Sequence, residues 1–436
     1  MEMKNLKKLS LLFLLLLGLQ GCGAAVGNAT TSSQRVDAVL APDVAVNYAL
    51  VQQNSGTIRI YSSLPLTGSS KEQSLTLTNA MQMALEDVAG PDKTINGFKI
   101  DFVSLDDATA QRGQWDETTE KANATQAAND PDAMVFLGPY NSGAAQVAIP
   151  ILNRAGLPII SPSNTYPGLT LAVDGITKTG EPDNFYPTKT RNYFRVVARD
   201  DWQGPAIVLF AREEFKVKRL YLVSEPDLFV YGKGLTDSVE REASKYGISI
   251  VGRSTVQERA ADYRNLARKI RDAKPDMVFF GGTAQNQPGR LLADVRAAGV
   301  TVPFMGGDGF NNPAFLKSAG VAGEVATYSS ISGVPENLLP TKGQDFLKRY
   351  RARFGTPTNY TLHGYEVMSV ALNAIKNAGK KDRKAILNAI AATKNFEGVL
   401  GRWSFDANGD TDLTDFAIYQ IKDGLFAYQR QSKPSK

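Results

Sequence analysis

Between Thr57 and about Gly306, short runs of β-branched and aromatic residues alternate with longer stretches in which apolar residues recur every three or four positions. A parallel sheet covered by helices reads this way, because its strands are buried on both faces and each crossover needs a helix. Strands are predicted at 57–63, 98–105, 133–138, 157–161, 219–224, 248–255, 276–281 and 302–306. Between them, Leu77, Ala80, Ala84 and Val88 fall on one helical stripe, and the same period returns at 142–155, 205–215, 232–246, 262–273 and 287–298. The fold class is therefore α/β. A chain of 436 residues exceeds what one core accommodates, so two domains are expected.

The order of parts changes after about residue 340. Two helical patterns, 344–354 and 361–378, follow one another, with a shorter one at 384–392. Strands resume at Trp403-Ser404-Phe405, and a hairpin follows from Ile418–Ile421 through the turn Lys422-Asp423-Gly424 to Leu425–Tyr428. Two doubly wound lobes sharing the chain unevenly account for this order.

The amino terminus sets the compartment. Lys4, Lys7 and Lys8 precede the apolar run Leu9–Leu17, the layout of a secretory leader, and that run is shorter than the ~20 residues needed to span a bilayer. It ends in Leu19-Gln20-Gly21-Cys22, which resembles the bacterial lipobox, so residues 1–21 are expected to be removed and Cys22 lipidated. Cys22 is the single cysteine, which excludes internal disulfides and thiolate metal clusters. Residues 22–55 are rich in Ala, Ser, Thr, Asn and Gln and read as a flexible tether. The formal charge is +5, and the basic clusters at 216–219, 348–353 and 380–384 sit beside helical patterns as solvated faces. Nothing here points to nucleic acid.

The sequence is poor in catalytic signals. It has no phosphate-binding loop, no G-x-S-x-G and no H-E-x-x-H. Its only histidine, His363, lies near the start of a helical pattern and reads as structural. The acidic string Asp406, Asn408, Asp410, Asp412 and Asp415 lacks glycine at the sixth position of a calcium loop and reads as a polar turn. No enzyme activity, metal or cofactor is expected.

The informative segments lie where predicted strands end, the place at which open α/β sheets bind ligands. Gly138-Pro139-Tyr140-Asn141-Ser142-Gly143 opens directly into a helix and offers backbone N–H groups and a hydroxyl to an anion. Ser161-Pro162-Ser163-Asn164-Thr165 adds more hydroxyls. Phe304-Met305-Gly306-Gly307-Asp308-Gly309 places a carboxylate among glycines, suited to a ligand ammonium. Each has a structural reading too: Ser142 and Thr165 suit capping, and Asp308 suits a turn.

These segments, in this order, resemble the leucine/isoleucine/valine-binding protein family of type I periplasmic binding proteins. The resemblance runs from about Thr57 to Tyr428 and rests on Leu64-Pro65-Leu66-Thr67-Gly68, Asp106-Asp107, the Gly138 loop with Ala155-Gly156-Leu157-Pro158, Ser161-Pro162-Ser163, Tyr231-Gly232, Gly281-Gly282, Arg296–Gly299, Gly306–Gly309 and Phe405–Gly409. It implies two Rossmann-like lobes joined by three crossovers, placed near 196–200, 328–333 and 398–402, with the first lobe at 56–197 plus 331–398 and the second at 198–330 plus 399–430. By the same resemblance Ser142, Ser163 and Thr165 hold a ligand α-carboxylate, Asp308 stands where the family has a glutamate that pairs with the α-ammonium, and Tyr231 closes over the ligand. Gln73, Tyr140 and Thr283 are secondary pocket candidates; Thr283 stands where amino-acid binders often carry an aromatic. The loop 174–190 is an insertion. The function implied is that of a lipid-anchored, extracytoplasmic solute receptor that delivers a small amino acid, branched-chain or otherwise neutral, to an ABC permease. An amide or urea receptor and a regulatory lipoprotein that binds a protein partner are the alternatives.

Overall fold

The computed structural model describes residues 56–226, 229–258 and 260–434; the leader, Cys22 and the tether lie outside the described residues. Six strands form the first sheet: β1 (Gly56–Leu64), β2 (Thr94–Ile95), β3 (Phe98–Asp106), β4 (Ala133–Leu137), β5 (Ile159–Ser161) and β6 (Tyr193–Arg195), in the order β2-β3-β1-β4-β5-β6. All pairings are parallel except β2 with β3. β4, Ala-Met-Val-Phe-Leu, is buried along its whole length, which is why it reads as a continuous apolar run.

The second sheet contains β7 (Arg219–Ser224), β8 (Ser249–Thr255), β9 (Met277–Gly281), β10 (Phe304–Gly306), β11 (Thr327–Ser332), β12 (Phe416–Lys422) and β13 (Leu425–Ser432), in the order β8-β7-β9-β10-β11-β12-β13. The last two are antiparallel, as expected for a closing hairpin. The β11 sequence, Thr-Tyr-Ser-Ser-Ile-Ser, is polar enough to read as a linker, yet Thr327, Ser329 and Ser330 are fully buried.

Eleven helices are described: α1 (Lys71–Ala89), α2 (Glu117–Asn129), α3 (Ser142–Arg154), α4 (Asp200–Phe215), α5 (Val230–Lys245), α6 (Arg264–Ala273), α7 (Pro288–Ala297), α8 (Pro313–Ala319), α9 (Thr341–Phe354), α10 (Thr361–Ala378) and α11 (Arg383–Ala391). The late helices α10 and α11 complete the first lobe: Val367, Ala371, Ile375 and Ile386 share a core with Ile58, Ile60, Leu77 and Met81. The α1–α10 contact is close because residue 364 is glycine; a Cβ there would stand 2.6 Å from the Leu77 carbonyl oxygen. Periodicity missed α2, whose buried face is Glu120, Ala124 and Ala127 rather than an apolar stripe. Its start is fixed locally by Asp116, whose side chain accepts from the Thr119 N–H at 3.1 Å.

The chain leaves the first lobe after Arg195, returns to it as helices after Ser332, and enters the second sheet again between Phe405 and Phe416. That last passage comes later than the 398–402 expected. Trp403 and Phe405 are buried in the first core, and Phe405 packs on Phe194 with ring centroids 5.1 Å apart. The insertion at 174–190 folds onto the first lobe, where Glu181 accepts from the Tyr166 hydroxyl at 2.6 Å and Tyr186 donates to the Leu169 carbonyl at 2.6 Å. The first and third passages are tied together at Asp410, which accepts from Arg195 Nε and from an Arg199 terminal nitrogen, each at 2.6 Å.

Candidate functional site

The carboxyl ends of both sheets face a common cleft, and the loops that follow those ends supply its walls. On the first lobe, β4 ends at Leu137 and turns through Gly138 into α3. Gly138 has φ +118°, and a Cβ there would meet the Ser63 carbonyl oxygen at 2.7 Å, so the turn against β1 requires glycine. This delivers Tyr140, Asn141 and Ser142 to the cleft. The loop after β5 is pinned to the same turn: Ser161 Oγ donates to the Pro139 carbonyl (3.1 Å), and Ser163 Oγ and Asn164 Nδ2 donate to the Tyr140 carbonyl (2.9 and 2.8 Å).

On the second lobe, β10 ends at Gly306, and Asp308 opens a short 3₁₀ turn. Tyr231, at the start of α5, donates its hydroxyl proton to Asp308 Oδ1 at 3.1 Å, and the Gly309 N–H donates to the same hydroxyl oxygen at 3.1 Å. A second phenol reaches Asp308 from the opposite lobe: the Tyr360 hydroxyl donates to Oδ2. Asp308 is 3% exposed, and burial pushes its carboxyl above the ordinary range although Tyr360 and Tyr231 oppose the shift. A buried carboxylate whose phenol partners are neutral attracts a cation strongly.

A cavity of about 20 Å³ remains between the lobes, lined by Tyr140, Asn141, Ser142, Ser163, Tyr231, Thr283, Asp308, Gly309 and Tyr360. Six of the residues singled out from sequence, Tyr140, Ser142, Ser163, Tyr231, Thr283 and Asp308, meet there. Two others stand behind its wall. Thr165 is buried, and its carbonyl accepts from the Asp200 N–H at 2.9 Å. Gln73 accepts from the Tyr140 hydroxyl at 2.5 Å and from Asn312 Nδ2 at 2.7 Å. Tyr360 was not found from sequence, because its role depends on a partner 52 positions away on the other lobe. Behind Thr283 lies Glu225, raised to about 7 by burial despite accepting from the Thr283 and Gly232 N–H groups and the Asn286 amide.

The lobes also touch directly across the cleft. Gln285 accepts from Asn141 Nδ2 at 3.2 Å and donates to Ser70 Oγ at 3.0 Å. Trp115 and Phe229 meet edge to face at 6.2 Å. Chemically, the cleft offers hydroxyls and a helix amino terminus at one end, suited to an anion, and the Asp308 carboxylate at the other, suited to a cation. Among the described residues no helix is long and apolar enough to cross a membrane.

Residues 57–425 match a family profile described as periplasmic binding protein. A Pseudomonas aeruginosa protein named leucine-, isoleucine-, valine-, threonine-, and alanine-binding protein is 26% identical over 395 residues, which cover 89% of this chain and 96% of that one. An amino acid binding protein from the same species is 26% identical over 329 residues, covering 76% and 81%. Among solved structures, a leucine-binding protein from Thermotoga maritima superimposes with a TM-score of 0.76 at 22% identity, covering 87% of this chain and 99% of its own. A branched-chain amino acid transporter substrate-binding protein from Streptococcus pneumoniae, in complex with isoleucine, gives 0.73 at 25% identity, covering 86% and 99%.

Proposed function

The chain belongs to the leucine/isoleucine/valine-binding protein family of type I periplasmic binding proteins, and on that premise we propose that it is an extracytoplasmic receptor for a small neutral amino acid, feeding an ABC importer. The carrying observation is the buried Asp308 carboxylate, reached by uncharged donors, the Tyr231 and Tyr360 phenols and the Gln203 amide, and set across one polar cavity from Ser142 and Ser163. A zwitterion satisfies both ends at once: its ammonium neutralises Asp308, and its carboxylate takes the Ser142 hydroxyl and the α3 amino terminus, beside Ser163, whose own hydroxyl holds the Tyr140 carbonyl in place. The cavity wall carries no aliphatic side chain, which favours alanine, serine or threonine over the branched-chain amino acids.

Capture proceeds by a shift of population. A volume of about 20 Å³ accommodates about one water, so a solute enters when the lobes part. It then stabilises the joined arrangement through contacts to both lobes that are unavailable in the parted one. The joined form is what a permease reads. Cys22, lipidated, holds the receptor at the membrane, and 22–55 sets its reach.

Calorimetric titration of the purified protein, stripped of carried-over solute, against a panel of amino acids and amides tests this. The expected result is saturable binding of a small neutral amino acid that Asp308→Ala removes. Binding confined to uncharged amides takes the ammonium role away from Asp308. Silence across the panel from folded protein refutes the receptor reading in favour of a regulator that binds a partner.

A further inference from the structure

A second cavity, of about 580 Å³, lies between the lobes and shares no lining residue with the one at Asp308. Leu316 of α8 and Phe426 of β13 line it from the second lobe, and Leu347 of α9 and Leu362 of α10 from the first. Val196 and Leu413, at the first and third passages between the lobes, contribute the wall that joins them. The size is that of pockets for drug-sized organic molecules, whereas surface apolar patches are normally covered or broken up.

The polar groups around it define the chemistry further. Of the charged side chains at its edge, Arg351 is paired with Glu336 at 2.6 Å and Asp415 with Lys433 at 3.1 Å, and the Glu72 carboxylate is exposed at the rim. His363 lines the wall, is 3% exposed, and its Nδ1 has no hydrogen-bond partner among the described residues. Burial pushes the imidazole down to about 4, so it is neutral at physiological pH. Nδ1 is closed off by the packing, and the other ring nitrogen is left to accept from a neutral donor on an occupant.

We propose that this cavity is a second binding site, for an uncharged molecule with a hydrocarbon body and one hydrogen-bond donor directed at His363, and that its occupant stabilises the joined arrangement of the lobes. The coupling follows from the walls. A molecule touching both lobes and the crossovers fits one lobe angle better than others, so it biases the same equilibrium as a solute in the cleft, and the bias is reciprocal. The site is independent of the amino-acid reading, because Asp308 contributes nothing to it.

The test uses 1-octanol as probe, with saturation-transfer NMR and calorimetry on the purified protein. Saturable 1:1 uptake is expected. Leu316→Trp and Leu362→Trp fill the cavity from opposite lobes, and each is expected to weaken uptake at least tenfold with circular dichroism unchanged. Leu425→Glu, at a mouth residue that is 66% exposed, charges the entrance without touching the core and is expected to weaken it too. His363→Phe is expected to weaken 1-octanol severalfold while leaving cyclohexane binding unchanged. Scattering is expected to show a smaller radius of gyration with 1-octanol than without. No saturable uptake, uptake indifferent to all three cavity substitutions, or octanoate binding as tightly as 1-octanol overturns the proposal.

Discussion

Asp410→Ala removes the one carboxylate that both Arg195 and Arg199 share. Arg195, Arg199 and Asp410 have side-chain exposures of 0, 11 and 3%; Arg199 keeps Asp201 at 2.8 Å, so the substitution leaves the Arg195 guanidinium buried without a carboxylate and with little water to replace the lost charge. Breaking a buried pair by deleting one partner costs about 3–5 kcal/mol, and the Thr170 hydroxyl, which donates to Asp410 at 2.9 Å, loses its acceptor as well. The loss is expected in chemical denaturation as a lower midpoint at unchanged slope. It has a pH signature. Burial alone would raise the Asp410 carboxyl, but the Arg195 and Arg199 guanidiniums outweigh it and hold the group below the ordinary range. A group lowered in the folded state contributes its stability in full above its unfolded pKa, about 4, and loses it as pH falls through the folded value. The difference between wild type and Asp410→Ala should therefore be constant from neutral pH to about 5 and shrink below about 4. A loss under about 1 kcal/mol, or a difference indifferent to acid, refutes the reasoning.

Glu225 and Glu366 behave in the opposite sense, since burial raises each to about 7 despite hydrogen bonds to their carboxyls. The folded state then holds protons the unfolded chain has released, so their contribution is complete below about 4.3 and is lost as pH rises through 7, by up to ~1.4 kcal/mol per pH unit for each group; urea midpoints measured from pH 5 to 8 should fall, and Glu366→Gln should flatten the fall. Gly364→Ala pushes a methyl into the Leu77 carbonyl and should cost about 1–3 kcal/mol, read in the same unfolding assay, whereas Gly247→Ala, where an added Cβ meets nothing within 4 Å, should show only the cost of its positive φ. Tyr360→Phe deletes a phenol that joins Asp308 across the cleft, worth about 1.5–3 kcal/mol for a bond to a charged group, so solute-free protein should populate parted lobes roughly tenfold to a hundredfold more, seen as a larger radius of gyration.

The strands were plain in the sequence from their apolar residues, β4 and β9 because they are buried along their whole length and β3 because Phe98, Ile100 and Phe102 alternate with polar positions: 219–224 coincides with β7, and β1, β3, β4 and β9 differ from expectation by one or two residues. Helix α4 begins at Asp200 rather than 205 because Pro205 sits inside it, although proline commonly marks a first turn. Elements whose buried faces are small or polar were illegible: α2 packs through alanine, and β11 through serine and threonine. The cleft residues stood out where a strand end, a glycine and a polar side chain coincide. Tyr360 and the supporting position of Gln73 had no local mark, since both act through partners on the other lobe.

The insertion of the second lobe within the first has a consequence for biosynthesis. The first sheet is finished at Arg195, but the helix that covers Leu77 and Met81 begins at Thr361, about 170 residues later. At ribosomal rates of about 5–20 residues per second, the emerging amino-terminal half waits on the order of ten to thirty seconds with a greasy face exposed. A chain exported through a narrow channel before it folds avoids that interval, because α1 and α10 then reach the far side of the membrane together within one unfolded polymer. Lobe nesting therefore suits post-translational export, and retention of this protein in the cytoplasm should make it dependent on holdase chaperones.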